Sequence, residues 1–443
     1  MNKAVIYFCL FFILITGVNA QTISLEQARG LALASSRSLA KYHIAIQSSI
    51  LDEKSQLFSM LPQISADYRA STNYFTAWEF VNPVKTFSIG VGFSITQVIY
   101  QGGKSFIQKA ISAIATESVR KDALAEYFNV LDSVDSAYYA VLEAAASLEA
   151  EDFSLKGSEL AFAIAEIRNQ TGMINHGDYL KSLADKESRL MSRNQAQRNL
   201  TLSLTKLRNL LGVKETPVPQ EIVFDEYEEL IARLSMITGE EADALYGELW
   251  KEIAANNISI AKASLNNQRA EKNYSLAKRD YIPTISATIM SGDFTFLPEL
   301  KQSAAGNVSI RGTIPLDFWV LNNKLKKSRL SLDSAALDFA NLENSLEQEL
   351  FSCLSNIFAQ AGAVLSSRRS LEYTQKHYDF VMERYRLSQS SVSDLNEAIS
   401  LYMTSRNSLN KASYSFLQSL SKLRTLCAME DEKKLMELLM KND

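Results

Sequence analysis

Apolar residues recur along this chain with two different periods, two residues in short stretches and about seven in long ones. From Phe87 to Ile99, apolar side chains alternate with serine, glycine and threonine, which predicts a strand with one apolar and one small polar face. The stretch from Lys104 to Gln170 then contains no proline and a single glycine, Gly157. At ~1.5 Å per residue, a helix of that length reaches about 100 Å, far longer than the helices of an ordinary globular domain.

The seven-residue period identifies the faces by which the long helices pack. Narrow apolar seams of this kind are typical of coiled helices that lie against neighbouring helices. The seams comprise Leu124, Leu131, Tyr138 and Ala145 in the first long helix, Leu350, Ile357, Val364, Leu371, Tyr378 and Tyr385 in the second, and Leu395, Tyr402, Leu409, Phe416 and Leu423 in the last helix.

The order of elements repeats, which indicates an internal duplication. The segment Leu61-Pro62-Gln63-Ile64-Ser65-Ala66 ends a helix and begins a strand, and Ile282-Pro283-Thr284-Ile285-Ser286-Ala287 does the same in the second half. We predict a signal peptide (1–20), a first repeat (21–213), an acidic linker (214–249), a second repeat (250–428) and a charged C-terminal tail (429–443). Each repeat begins with a helix. The first repeat then has strands at about 62–80 and 86–100, a long helix at about 104–171 and a helix at about 178–211. The second repeat has strands at about 283–297 and 306–319, a long helix at about 324–388 and a helix at about 394–428.

The first residues predict export. Lys3, an apolar run from Ala4 to Val18 and the triplet Val18-Asn19-Ala20 have the order of a secretory signal peptide, with cleavage before Gln21. We expect no later apolar stretch to approach the ~18 to 20 residues of a membrane helix, so a membrane would have to be crossed with strands. Cys353 and Cys427 are too few for a disulfide framework, and the sequence leaves open whether they pair.

Composition and motifs argue against several function classes. The net charge is -4 and no basic patch carries interleaved aromatic residues, which argues against a nucleic-acid partner. The turn at Gly103 and Lys104 resembles a phosphate-binding loop, but Val98 stands where that motif needs glycine. Three histidines lie far apart without metal-ligand spacing, and no catalytic triad order is present, so we predict no metal, no cofactor and no enzymatic activity.

Four predicted strands per chain cannot close a barrel around a lumen, and open strand edges promote aggregation. Other copies of the chain therefore have to pair these edges, and three copies would give twelve strands, an even number within the range of outer-membrane barrels. The predicted fold is a mixed α and β membrane protein with a shared trimeric β-barrel that continues into an α-barrel of long coiled helices. The predicted membrane-interface aromatic residues are Trp78, Phe80, Phe296, Phe318 and Trp319.

Over its whole mature length the chain resembles the TolC family of outer-membrane channel proteins. The resemblance is carried by Leu25-Glu26-Gln27-Ala28, by Pro62 and Pro283, by the strand ends at 97–103 and 314–316, and by the turns at 172–178 and 385–394. It implies a homotrimer in the outer-membrane lipid of a Gram-negative bacterium, with a tunnel extending into the periplasm. It also implies a periplasmic adaptor (membrane fusion) protein and an inner-membrane transporter as partners, and passive export without catalysis.

The same resemblance suggests site residues at the turns. Asp178 and Tyr385 are similar to positions that hold neighbouring helix pairs together at a closed entrance, and Asp394 and Glu397 to acidic positions that ring it. Alternatively, Asp394 and Glu397 are ordinary solvated charges near a helix start, where carboxylates are favoured. Ser388 stands where members of the family usually have glycine. Ser390 stands where some members have a basic residue that ties the gate. The tips expected to dock the adaptor comprise Gly172, Met173, Ile174, Ser388, Ser390 and Val392.

Two other functions stay open on the sequence alone. A type I protein secretion channel would have the same architecture as an efflux duct. An exported coiled-coil structural or adhesive protein would explain the heptads, but it has no use for two strand units at equivalent places in the two halves.

Overall fold

The computed structural model of this chain describes residues 22–73, 86–291, 294–295 and 306–441. The predicted signal peptide (1–20) and three of the predicted interface aromatic residues, Trp78, Phe80 and Phe296, lie outside them. The strands are β1 (Thr22–Ile23), β2 (Gln63–Asn73), β3 (Thr86–Tyr100), β4 (Val218–Pro219), β5 (Thr284–Met290), β6 (Phe294–Thr295) and β7 (Asn307–Thr313). The helices are α1 (Leu25–Ser35), α2 (Arg37–Phe58), α3 (Lys104–Gln170), α4 (His176–Leu211), α5 (Glu228–Ser235), α6 (Gly239–Asn256), α7 (Ile258–Lys278), α8 (Phe318–Arg386), α9 (Val392–Leu426) and α10 (Glu432–Met440).

The main sheet is antiparallel, with the strand order β2-β3-β5-β7, and β6 extends the pairing along β3. Each repeat therefore supplies one pair of long neighbouring strands, and the two pairs meet between β3 and β5. Strands β2 and β7 are the two outer edges of this sheet.

The two faces of the sheet differ in polarity because the period of two is kept in register across the four strands, up to a register shift in β3 between Val98 and Tyr100. One row pairs Ile64, Ile95, Ile289 and Val308. The next row, on the opposite face, pairs Gln63, Thr96, Thr288 and Ser309. The outermost residues of the apolar row, Ile64 and Val308, are 75% and 72% exposed in the single chain.

The polar face is held by hydroxyl contacts between strands. The hydroxyls of Ser65 and Ser94 lie 2.6 Å apart, and those of Thr96 and Thr288 lie 3.3 Å apart. A sheet with one continuous apolar face and one polar face has the pattern of a barrel wall between lipid and water.

The two long helices begin beside each other at one end of the sheet. Lys104 is the first residue of α3, and Lys324 lies near the start of α8. Their ammonium groups are 2.9 and 2.5 Å from the two carboxylate oxygens of Asp280, which follows α7. One carboxylate thus joins the equivalent helix starts of the two repeats. The strand β3 enters α3 through Gly102, where an added Cβ would lie 2.8 Å from the Ile282 side chain and φ is +65°.

Helices α3 and α8 contain 67 and 69 residues, so each is about 100 Å long. The main hydrophobic cluster lies midway along them, where the shorter helices pack around α3, α8 and α9. It includes the seam residues Tyr138, Leu350, Ile357, Phe416 and Leu423. Cys427 belongs to this cluster and Cys353 packs against it, both as free thiols, and burial raises their pKa to about 12 and about 11.

Several predicted boundaries differ from the structure. Helix α8 begins at Phe318 rather than near 324, and β7 ends at Thr313 rather than near 319. Pro315 explains this, because proline cannot donate to a strand ladder and holds the preceding residue extended. The first helix is divided at Ser36, whose hydroxyl accepts a hydrogen bond from the Leu39 amide and so caps α2.

Two segments expected to be linker or tail are largely helical. The predicted acidic linker (214–249) contains α5 and most of α6. The predicted charged tail contains α10, whose Leu435 and Leu439 are each 1% exposed in the main cluster. The tail is therefore part of the folded core.

The expectation about membrane helices also needs correction. One helix in the described part of the chain, α8, is long and apolar enough to cross a membrane by length and composition alone. Leu350, Leu354 and Ile357 of this helix are buried in the main cluster, and 28% of its most apolar window is buried in the single chain.

Candidate functional site at the helical turns

Two turns at the far end of the long helices have the same backbone structure. Met173 donates to the Arg168 carbonyl at the end of α3, and Gln389 donates to the Arg384 carbonyl at the end of α8, both at 2.8 Å. These bonds define Schellman motifs, which need a left-handed residue just after the helix. Gly172 supplies it in the first turn and Ser388 in the second.

The helices that leave these turns begin with equivalent caps. Before α4, the Asn175 side chain accepts from the Asp178 amide and donates to the Asp178 carboxylate, both at 2.8 Å. Before α9, the Ser391 hydroxyl accepts from the Asp394 amide at 3.1 Å, and the Asp394 carboxylate accepts from the Ser391 amide at 2.9 Å. Asn175 and Ser391 therefore cap the two helices, and the Asp394 carboxylate completes a capping box, whereas the Asp178 carboxylate bonds the Asn175 side chain.

Asp394 also accepts a hydrogen bond from the Ser390 hydroxyl at 3.0 Å. The Ser391 amide and the hydroxyls of Ser391 and Ser390 stabilise the charged form and lower the pKa of Asp394. Glu397 follows three residues later on the same exposed face of α9. Two solvent-facing carboxylates thus stand at the start of α9 in every chain.

Tyr385, the third predicted gate residue, is fully buried at the end of α8. Its hydroxyl donates to the Ala161 carbonyl at 3.2 Å, and its own carbonyl accepts a bond from the Arg168 guanidinium. The guanidinium carbon also lies 4.7 Å from the centre of the Tyr385 ring. Burial raises the pKa of Tyr385, which the Arg168 charge opposes and the Asp178 charge reinforces.

An apolar cluster behind the turns joins α3, α8 and α9. Tyr378 and Tyr402 stack with ring centroids 5.8 Å apart, and Phe153 contacts them at 5.4 and 5.1 Å. The buried members are Ala150, Ala161, Tyr378, Val381, Met382, Tyr385, Val392, Leu395, Ala398, Ile399, Tyr402 and Met403.

Polar contacts connect α4 with α9. Lys181 donates to the Ser393 hydroxyl at 3.2 Å, and Arg189 donates to the Ser400 hydroxyl at 2.6 Å. Between them, the Asn396 amide donates to the Asp185 carboxylate. The two helix pairs therefore meet through an apolar contact of α3 with α8 and α9, and through a polar contact of α4 with α9.

The predicted docking residues are not equally accessible. Met173 is 74% exposed, Gly172 and Ser388 are exposed, and Ile174 and Ser390 are half-buried. Val392 is buried in the apolar cluster, so its side chain does not lie on the surface of the folded chain. Leu387, which the sequence did not single out, is 60% exposed beside Ser388.

The two described members of the predicted interface aromatics, Phe318 and Trp319, are exposed. They lie in the first turn of α8 and not at the end of a strand. Among the described residues, no group of three or more histidine, cysteine, aspartate or glutamate side chains could hold a metal ion.

A buried charged network in the main cluster was missed from the sequence. Asp135 is fully buried and accepts from Arg29 at 2.6 and 2.8 Å, and from Arg424 and Ser421 at 2.7 Å each. Arg29 also pairs with Glu432 of α10 at 3.4 Å. The available signal was the place of Asp135 between the seam residues Leu131 and Tyr138, on the face that packs inward.

A family model described as "Outer membrane efflux protein" matches residues 28–213 and 249–428. The two matched segments correspond closely to the two structural repeats, with α5 and the start of α6 between them.

Three known proteins are similar to this chain at 20% sequence identity or less. The outer membrane protein TolC of Escherichia coli (strain K12) is 20% identical over 405 residues, covering 86% of this chain and 77% of TolC. The crystal structure of the Campylobacter jejuni CmeC outer membrane channel gives a TM-score of 0.75 at 17% identity, with 94% of this chain and 89% of CmeC covered. The outer membrane protein VceC of Vibrio cholerae gives a TM-score of 0.73 at 13% identity, with 91% and 96% covered.

Proposed function

This chain belongs to the outer membrane efflux protein family, whose members are outer-membrane channels that extend into the periplasm, and we propose that it works as a passive homotrimeric exit duct for small molecules. In this proposal the chain catalyses nothing. It is docked to a periplasmic adaptor protein, which is joined to an inner-membrane transporter.

The observation that carries the proposal is the main sheet. Its four strands have one apolar face and one polar face, and among the described residues of the single chain no strand pairs with the outer edge of β2 or of β7. Pairing β7 of one copy with β2 of the next satisfies these edges. Three copies then close a barrel of twelve strands with the apolar row toward lipid and the polar row toward a lumen.

The helices next to the free edges support the same assembly. Along α2, which leads into β2, Ile44, Leu51 and Phe58 recur every seven residues and are exposed. Along α8, which follows β7, Leu330, Leu337 and Phe351 fall on one heptad position and are exposed. Apolar heptad seams call for a partner helix, and a neighbouring copy supplies one at the flanks where its strands pair.

The helical turns then form the periplasmic entrance. Threefold repetition of Asp394 and Glu397 places six carboxylates around one opening, which favours the entry of cations. The exposed turn residues Gly172, Met173, Leu387 and Ser388 are the docking surface proposed for the adaptor.

The cargo class is tested by removing the gene and restoring it on a plasmid. We expect the deletion to increase susceptibility to toxic small molecules, such as cationic dyes and antibiotics, and the restored gene to reverse this. Unchanged susceptibility together with the loss of a secreted protein would replace efflux by type I protein secretion.

A further inference from the structure

We propose that Arg168 is the residue that ties the two helix pairs together at the turns and so holds the resting entrance closed. This inference rests on the proposed duct. Arg168 lies in the last turn of α3, and the helix pairs it joins are α3 with α4 and α8 with α9.

The contact fixes Tyr385 to α3 at two points. The Arg168 guanidinium donates to the Tyr385 carbonyl and covers its ring, while the Tyr385 hydroxyl donates to the Ala161 carbonyl. Because Tyr385 is fully buried, α8 cannot move away from α3 at this level without exposing the ring and breaking both hydrogen bonds.

The Tyr385 carbonyl lies where the positive charge of Arg168 can stabilise the end of α8. Tyr385 is the last residue but one of α8, and the carbonyls of a last helical turn carry the negative end of the helix dipole. A cation from another helix therefore stabilises the α8 terminus as a cap. Cation–π attraction to the desolvated ring adds to this.

The other polar links described between the helix pairs near the turns join α4 to α9 rather than α3 to the end of α8, among them the bond from the Asn396 amide to the Asp185 carboxylate. Lys181 and Arg189 donate to the neutral hydroxyls of Ser393 and Ser400 at exposed sites, where such bonds contribute little. Ser390, at the position that resemblance associates with a basic tie, bonds Asp394 within its own turn. The tie is thus made from the opposite side of the contact, by α3.

The test compares Arg168→Gln with a matched control, Arg384→Gln. Arg384 also donates to a carbonyl, that of Gln389 at 3.0 Å, and lies 5.7 Å from an aromatic ring, that of Phe380, but both partners belong to its own helix pair. Amide hydrogen exchange is measured on the detergent-solubilised trimer. For Arg168→Gln we expect amide exchange at both turns, 168–175 and 385–391, to be about tenfold faster than in the wild type. This is the change expected from the loss of one charge-assisted hydrogen bond.

Arg384→Gln is expected to affect exchange at its own turn alone. Arg168→Lys keeps the charge but loses the planar fork, so an intermediate rate is expected for it. Unchanged exchange at 385–391 in an intact Arg168→Gln trimer would overturn the proposal.

Planar-bilayer currents from the same samples separate the tie from the duct. If the tie and the duct are both correct, channels of Arg168→Gln open more often than those of the wild type, and channels of Arg384→Gln do not. Faster exchange without current from any variant would leave the tie and refute the duct. Current steps from the wild type with unchanged exchange and unchanged opening in Arg168→Gln would refute the tie and leave the duct.

Discussion

Gly172 and Ser388 occupy the same position in the two repeats, and each is the left-handed residue that ends one of the two long helices. Their φ values are +71° and +62°. The two turns therefore share one conformation, although only the first has the residue type that adopts it without strain.

Replacing Ser388 by glycine is expected to stabilise the protein. A Cβ is disfavoured in the left-handed region by about 1 kcal/mol, so Ser388→Gly should raise the free energy of unfolding by about that amount. Thermal unfolding in detergent, followed by circular dichroism, measures the change. Ser388→Ala is the control, since it keeps the Cβ and predicts no gain, and a glycine variant that is no more stable than the alanine variant would refute the strain argument.

Asp280 is expected to contribute stability that depends on pH. Although burial opposes its charged form, Lys104 and Lys324 hold the pKa of Asp280 below its ordinary value. A depressed folded-state pKa stabilises the fold above the unfolded value, about 3.9, and this contribution disappears as the pH falls through the folded value. We expect Asp280→Asn to lower the unfolding free energy by about 1 to 3 kcal/mol at neutral pH and by progressively less below pH ~4.

Thermal unfolding across this pH range checks the Asp280 prediction. Asp333→Asn removes an exposed aspartate paired with Arg329 within α8 and is expected to change stability by about 0.5 kcal/mol or less. A cost of Asp280→Asn that stayed constant from neutral pH to pH ~3 would contradict the assigned pKa shift.

Asp135 is expected to be among the most sensitive positions of the core. Asp135→Asn leaves the nearly inaccessible Arg424 without its charged partner and leaves Arg29 with Glu432 alone, which costs about 3 to 5 kcal/mol for a buried pair. Glu117→Gln on the same helix breaks an exposed pair with Arg120 and costs about 0 to 1 kcal/mol. Chemical denaturation of the two variants provides the comparison, and equal costs would show that the network contributes no more than a surface pair.

The seam on α2 is expected to control assembly. Leu51 is 62% exposed in the single chain, and in the trimer Leu51→Lys places a charge in the contact with α8 of the next copy. We expect this variant to dissociate to monomers in detergent, as measured by light scattering. Met236→Lys, at a comparably exposed position outside both seams, is expected to stay trimeric. A stable Leu51→Lys trimer would place the interface elsewhere.

The acidic residues at the start of α9 are expected to set ion selectivity. In a salt gradient, the reversal potential of the Asp394→Asn, Glu397→Gln double variant should move from cation selectivity toward zero, because six carboxylates leave the entrance. Glu397→Gln alone is the cleaner probe, since Asp394 also caps its helix. Glu240→Gln, in α6, is the control, and a double variant as selective as the wild type would identify these residues as ordinary surface charges.

Patterns of neighbouring residues predicted most of the elements from the sequence. The alternation from Phe87 to Ile99 indicates β3 because side chains of a strand point to opposite faces in turn. Helix α10 was missed because Glu432, Lys433, Lys434 and Glu437 dominate its composition. Its apolar residues Leu435 and Leu439 nevertheless lie one helical turn apart on the buried face.

The site was less predictable because its contacts join residues far apart in the chain. Resemblance identified Tyr385, but nothing in the sequence connects it with Arg168, which is more than two hundred residues away. Resemblance points to position 390, where this chain has serine in place of a basic residue, because resemblance compares equivalent positions. The cation that contacts Tyr385 comes from a different helix. Val392 was assigned to a docking tip because it follows the turn, although its side chain points into the cluster below.

The central claim, a duct formed by three copies, is tested most directly by single-channel recording of the purified trimer in planar bilayers. We expect discrete current steps from the wild type, and more frequent openings from Arg168→Gln at the same trimer mass. An intact trimer that gives no steps as wild type, as Arg168→Gln or as the Asp394→Asn, Glu397→Gln variant would contradict it.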